Sequence, residues 1–153
     1  MVSHRAEVGW ALKDGEDFLR GRYSREHDLA FDAPIALRGS ASPHVVPKPW
    51  STEAAIDPEE MLVAAIAACH MLSFLQAARD AGVVVTAYRD AAEGVLEKNP
   101  EGRWWVSRVT LRPQIMYAGE APGPAAVEGL HHAAHEMCFI ANSVKTEVVV
   151  EAA

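Results

Sequence analysis

Two cysteines, Cys69 and Cys138, are the only thiols in the chain. A thiolate can act both as nucleophile and as two-electron donor, so this pair is where chemistry is sought first. Taken alone, each cysteine also reads as a small core hydrophobe. Taken together they could cycle between dithiol and disulfide, provided their Cα atoms come within about 7 Å. A thiol of ordinary pKa, ~8.5, is only a few per cent thiolate at neutral pH, and a nearby cation would raise that fraction. His70 follows Cys69 directly, but neighbours on a helix point about 100° apart, so it need not help. Arg22, Arg25 and Arg38 stay charged at every relevant pH and are the better candidates, although each also reads as a solvated surface charge. Glu59 lies ten positions before Cys69, about 15 Å of helical rise, so the two cannot touch. On its own, Glu59 reads as a partner for the positive end of a helix.

A metal site is a rival use of the same region. His131, His132, His135 and Cys138 fall within eight residues, and His131 and His135 share a helix face at i, i+4, a spacing zinc accepts. In His-His-Ala-Ala-His-Glu, however, the glutamate follows the histidines, whereas the zinc-hydrolase pattern His-Glu-x-x-His sets it between them.

The elements that must position these side chains can be read from pattern. His4 to Leu12 alternates as a half-buried strand, Lys13 to Glu16 supplies a hairpin-like turn, and Arg22 to Ala33 holds one or two further strands. From Arg38 to Thr52, three prolines predict an extended, non-helical connector. Asp57 before Pro58 is an N-cap with proline at the first helical position, and Glu59 and Glu60 suit the start of the helix. Residues 61–78 are apolar nearly all round, which predicts a central, buried helix ending at Gly82. Val83 to Leu96 and Arg103 to Tyr117 read as the two arms of a hairpin. Pro124 opens a second helix of about fourteen residues, with Val127, Leu130, Ala134 and Cys138 along one face. Val144 to Glu151 closes as a strand. The order strands, helix, hairpin, helix, strand is α+β, expected as antiparallel strands around two central helices. Each cysteine lies on a helix face that must pack inward, which raises the chance that they meet.

Composition bounds the rest. A chain of 153 residues, half apolar and 23% charged, reads as one globular domain, 1–153, without disordered stretches. Fourteen basic against 21 acidic residues give a net charge of −7, which argues against nucleic acid or an anionic membrane as partner. The longest apolar run, Met61 to Leu75, falls short of the ~20 residues of a membrane span, and the N-terminus has no apolar secretory segment. Two cysteines do not make a disulfide scaffold, so the cytoplasm is the expected compartment. No residue pattern asks for a cofactor.

Two motifs carry a family resemblance. The stretch Asp57-Pro58-Glu59-Glu60 leading through an alanine-rich helix to Cys69-His70 resembles the signature of the OsmC/Ohr family of thiol-dependent hydroperoxide reductases. The segment His135 to Lys145, with Cys138, resembles that family's second-cysteine region, and Phe31 to Pro43, with Ser40-Ala41-Ser42-Pro43, fits the lead-in. The resemblance spans essentially the whole chain. It implies an OsmC-like fold and an intertwined homodimer with its sites at the subunit interface. It implies that Cys69 attacks an organic hydroperoxide and that Cys138 resolves the resulting sulfenic acid as a disulfide. It also implies an arginine that supports the thiolate and a glutamate, Glu59, that positions it. Arg25, in the block Tyr23 to His27, is favoured for that arginine, with Arg38 the competitor. The disulfide would be reset by a dithiol, in the family's precedent a lipoylated protein. A non-catalytic, dimeric small-molecule-binding protein of the same fold is the remaining alternative.

Overall fold

The alternation around Val8 forms a strand, β1 (Ala6–Gly9), and it pairs antiparallel with β2 (His27–Phe31), which pairs in turn with β3 (Ala36–Gly39). Val8, Leu29 and Leu37 stand side by side across this sheet. The computed structural model describes residues 1–151 and divides into two compact units, Met1–Met61 and a second from Leu62 onward; this first sheet belongs to the former.

The turn at 13–16 forms, with the Glu16 amide donating to the Lys13 carbonyl at 3.2 Å, but it does not join two paired strands as expected. Residues 10–26 instead make a long connection between β1 and β2. Trp10, Phe18 and Tyr23 pack together within it, their ring centroids 4.7–6.0 Å apart. The Trp10 indole N–H donates to the Ser24 carbonyl at 2.8 Å. Aromatic packing, which no local periodicity announces, decides the course of the chain here.

The segment after β3 was expected to be simply extended, and it is not. Arg38 and Gly39 complete β3, and the loop that follows folds back on the sheet. Ile56 bridges Gly39 in parallel, and the Thr52 amide donates to Oγ of the fully buried Ser40. The prolines do exclude helix, while serine hydroxyls supply backbone partners that composition alone does not place.

The first helix, α1, runs Pro58–Asp80. Asp57 Oδ1 accepts from the Glu60 amide at 2.7 Å, and Glu60 Oε2 accepts from the Asp57 amide at 3.0 Å, a reciprocal capping box. At the other end Gly82 adopts φ +74°, and the Val83 amide donates to the Ala78 carbonyl. Two expectations about this helix need correction. Its 23 residues are long and apolar enough, by length and composition, to match a membrane span, although the run seemed too short when read from Met61. Nor is it buried all round: Ile66, His70, Phe74, Ala77 and Ala78 are buried, while Ala64, Ala65, Ala68, Leu72 and Leu75 form an exposed stripe on the opposite side. A single face is enough to pack on one chain's sheets.

In the second unit the expected hairpin forms, but both arms bend at the same level. One arm divides into β4 (Val85–Asp90) and β5 (Glu93–Lys98), the other into β6 (Trp104–Leu111) and β7 (Pro113–Tyr117). β4 pairs with β7 and β5 with β6, both antiparallel. At the corner Pro113 has no amide to donate, and the Arg112 amide donates to Asp90 Oδ1 at 2.7 Å. The second helix, α2, is Pro124–Met137, fourteen residues as expected. The closing strand, β8 (Glu147–Val150), pairs with β6 in parallel, so the strands are not all antiparallel. The architecture is α+β.

Two packed clusters fill this unit. Ile66, Val109 and Leu111 form one, with Val63, Val106, Val144 and Val148 around it. Phe74, Ala77, Ala78, Leu130 and Ala134 form the other, against Tyr88 and Ile115. The two helices thus meet along the second cluster, which fixes how α2 presents Cys138 to α1.

Candidate active site

Cys138 occupies the C-cap of α2 and is fully buried. Cys69, in the middle of α1, is partly open to solvent, and both are free thiols. The two side chains meet. Burial pushes the Cys138 thiol up, and a hydrogen bond to the Cys69 thiol pushes it the same way. The Ala141 amide, donating to Cys138 Sγ at 3.4 Å, works against that rise. Burial thus disfavours the Cys138 thiolate, and Cys69, the partly open thiol, is the one that solvent reaches.

Cys69 opens into a cleft of about 600 Å³ formed by α1, the end of α2 and the turn that follows. Leu72, Met137 and Phe139 make its walls largely apolar, and all three are exposed. Asn142 stabilises the turn, its side-chain amide donating to the Glu136 carbonyl at 3.0 Å.

The charged candidates lie in the first unit. The Arg25 guanidinium stacks on the Tyr23 ring, 3.7 Å from its centroid, and donates to the carbonyls of Gly21 and Tyr23. It is thus held half-buried, and among the described residues no carboxylate forms an ion pair with it, although its charge helps to lower the Glu16 carboxyl. Arg38 is engaged elsewhere, in ion pairs with Glu26 at 3.5 Å and Asp28 at 3.7 Å. Arg22 is exposed, its backbone bridged to Asp17. Glu60, and not Glu59, makes the capping box, which leaves the Glu59 carboxylate free of that duty.

The histidines offered for a metal do not converge, and among the described residues no three His, Cys, Asp or Glu side chains form a metal-binding group. His131 instead turns toward α1. His70 Nε2 and His131 Nδ1 are 3.1 Å apart, and the two rings stack with centroids 5.4 Å apart. Both side chains are buried. Burial, and then the charges of His131 and His135, push His70 down to about 4, and burial lowers His131 also. This cross-helix bond was missed in the sequence. The available signal was the position of His70 on the buried stripe of Ile66 and Phe74, one residue from the cysteine.

Comparison with known proteins adds the following. The family model described as OsmC-like protein matches residues 51–153. Among curated proteins, none matches the chain. An OsmC-like protein of unknown function from Vibrio cholerae O1 biovar eltor is similar over 100% of both chains, with 49% identity and a TM-score of 0.95. An organic hydroperoxide resistance protein OsmC from Legionella pneumophila is 20% identical, with a TM-score of 0.72 over 99% of this chain and 96% of that one. The organic hydroperoxide resistance protein OhrB of Bacillus subtilis is 15% identical, with a TM-score of 0.72 over 99% and 98%.

Proposed function

The chain belongs to the OsmC-like family, and from that premise we propose that it is a thiol-dependent peroxidase that reduces organic hydroperoxides to alcohols. The observation that carries this reading is the pairing of a partly open Cys69, which lines an apolar cleft, with a fully buried Cys138. Relatives of the same fold named for organic hydroperoxide resistance support it.

In this reading the Cys69 thiolate attacks the distal oxygen of the hydroperoxide. The O–O bond breaks, the alkoxide takes up a proton and leaves as alcohol, and Cys69 becomes a sulfenic acid. Sulfur of Cys138 then attacks the Cys69 sulfur. The S–S bond forms, and the hydroxyl departs as water with the proton that Cys138 gives up. A dithiol reductant returns both sulfurs to thiols. Arg25 supports the thiolate, because a guanidinium already fixed by its own stacking loses little freedom in holding an anion. Glu59, free of capping, is the carboxylate proposed to pair with that arginine in the assembled site; in the single chain the Tyr23 ring and the Gly21 and Tyr23 carbonyls hold Arg25 instead. Two copies of the chain form the working unit, which the exposed apolar stripe of α1 favours, and a reducing compartment such as the cytoplasm keeps the pair cycling.

A thiol count before and after one equivalent of cumene hydroperoxide tests the proposal. Both free thiols should disappear in the wild type, and Cys69→Ser should keep its remaining thiol. Cys138→Ser should proceed to a sulfinic acid on Cys69 under excess peroxide, seen by mass spectrometry. Equal, slow peroxide consumption by the wild type and Cys69→Ser would end the enzymatic reading.

A further inference from the structure

One group beside Cys69 has no part in the redox steps. Glu136 is the penultimate residue of α2, is exposed, and lines the cleft. A carboxylate is disfavoured there, because the last turn of a helix carries the negative end of its dipole. No ion pair compensates it among the described residues. Its own carbonyl is tied to Asn142 Nδ2, which fixes the helix end and with it the place where the carboxylate enters the rim. A locally unfavourable residue with no structural compensation is where a functional reason is sought.

Within one copy, the rest of the cleft does not offset this charge. Leu72, Met137 and Phe139 are apolar, and Ser73 and Gln76 are uncharged. The Gln76 amide itself donates to the Asp80 carboxylate at 2.7 Å.

We infer that Glu136 is a specificity-determining residue that makes the cleft select by substrate charge. It admits neutral hydroperoxides, whether alkyl, aryl or esterified lipid, and disfavours those that carry a carboxylate. This rests on the peroxidase reading and adds to it the substrate class of the same site. Like charges sharing a partly solvated cleft lower productive binding by about fivefold at low salt.

The test compares kcat/KM for linoleic acid hydroperoxide and for its methyl ester, both below their micellar concentrations at pH 7.5, using the wild type, Glu136→Gln and Glu136→Lys. Both substitutions relieve a charge disfavoured at a helix end, so neither threatens folding. The wild type should favour the ester about fivefold. Glu136→Gln should bring the ratio near one, Glu136→Lys should favour the acid, and 0.5 M salt should flatten all three. Consumption of both substrates by the wild type, with a ratio that neither variant moves, overturns the inference and leaves the peroxidase intact. Consumption of neither substrate overturns the peroxidase reading, and the inference with it.

Discussion

At the scale of single residues, the buried bond between His70 and His131 makes stability depend on acidity. Burial favours the neutral ring, so His70 falls to about 4 in the native protein, against ~6.5 in an unfolded chain. A group with a lowered native pKa binds fewer protons folded than unfolded between those values, so the native state loses stability as pH falls through that window. The contribution is fully present above about pH 6.5 and is lost progressively toward pH 4, on the order of 2–3 kcal/mol in all. Denaturant unfolding from pH 7 to pH 4 should show this slope, and His70→Gln should lower stability at pH 7 while flattening the slope. A slope unchanged in the variant would assign the acid sensitivity to other groups. The cysteines were legible as a pair because only two exist and each lies on a helix face with an apolar rhythm. The histidine pair was not legible, because His131 sits in a run of three histidines whose spacing also suits a metal. Only the packing of α1 on α2 shows which ring turns inward.

Elements that announce themselves through their ends were read well. Asp57-Pro58 and Gly82 bound α1, and Pro124 opens α2, because capping and φ constraints are local and need no tertiary partner. Elements decided by distant packing were not. The 10–26 connection follows its aromatic cluster, and the bend shared by the two hairpin arms answers to two separate clusters beneath them. Gly94, in β5, makes that dependence measurable. A Cβ added there would sit 2.5 Å from Val63 Cγ2 on α1, and a β-branched side chain cannot easily turn aside. Gly94→Ala should therefore cost about 1–3 kcal/mol. In a Val63→Ala background the same change should cost clearly less, so that a double-mutant cycle gives a coupling of about 1 kcal/mol or more. Strict additivity would mean that strand and helix do not meet as described.

For the molecule as a whole, the exposed stripe from Ala64 to Leu75 shows that one copy does not bury the apolar helix all round, which makes it a statement about assembly. An apolar helix face left in water by one copy is a surface that a second copy can cover. Light scattering coupled to size exclusion should return twice the chain mass, and Leu75→Glu should shift the protein to monomer; a monomeric wild type would refute the homodimer. Along that same helix the buried positions divide between two clusters, Ile66 in one and Phe74 in the other, and Cys69 belongs to neither. A sulfur outside both packed groups can gain or lose an oxygen without either having to repack. In the cycle proposed above, the first chemical injury falls on an atom that neither packed group relies on, so a molecule spent in one turnover would still be worth repairing for the next.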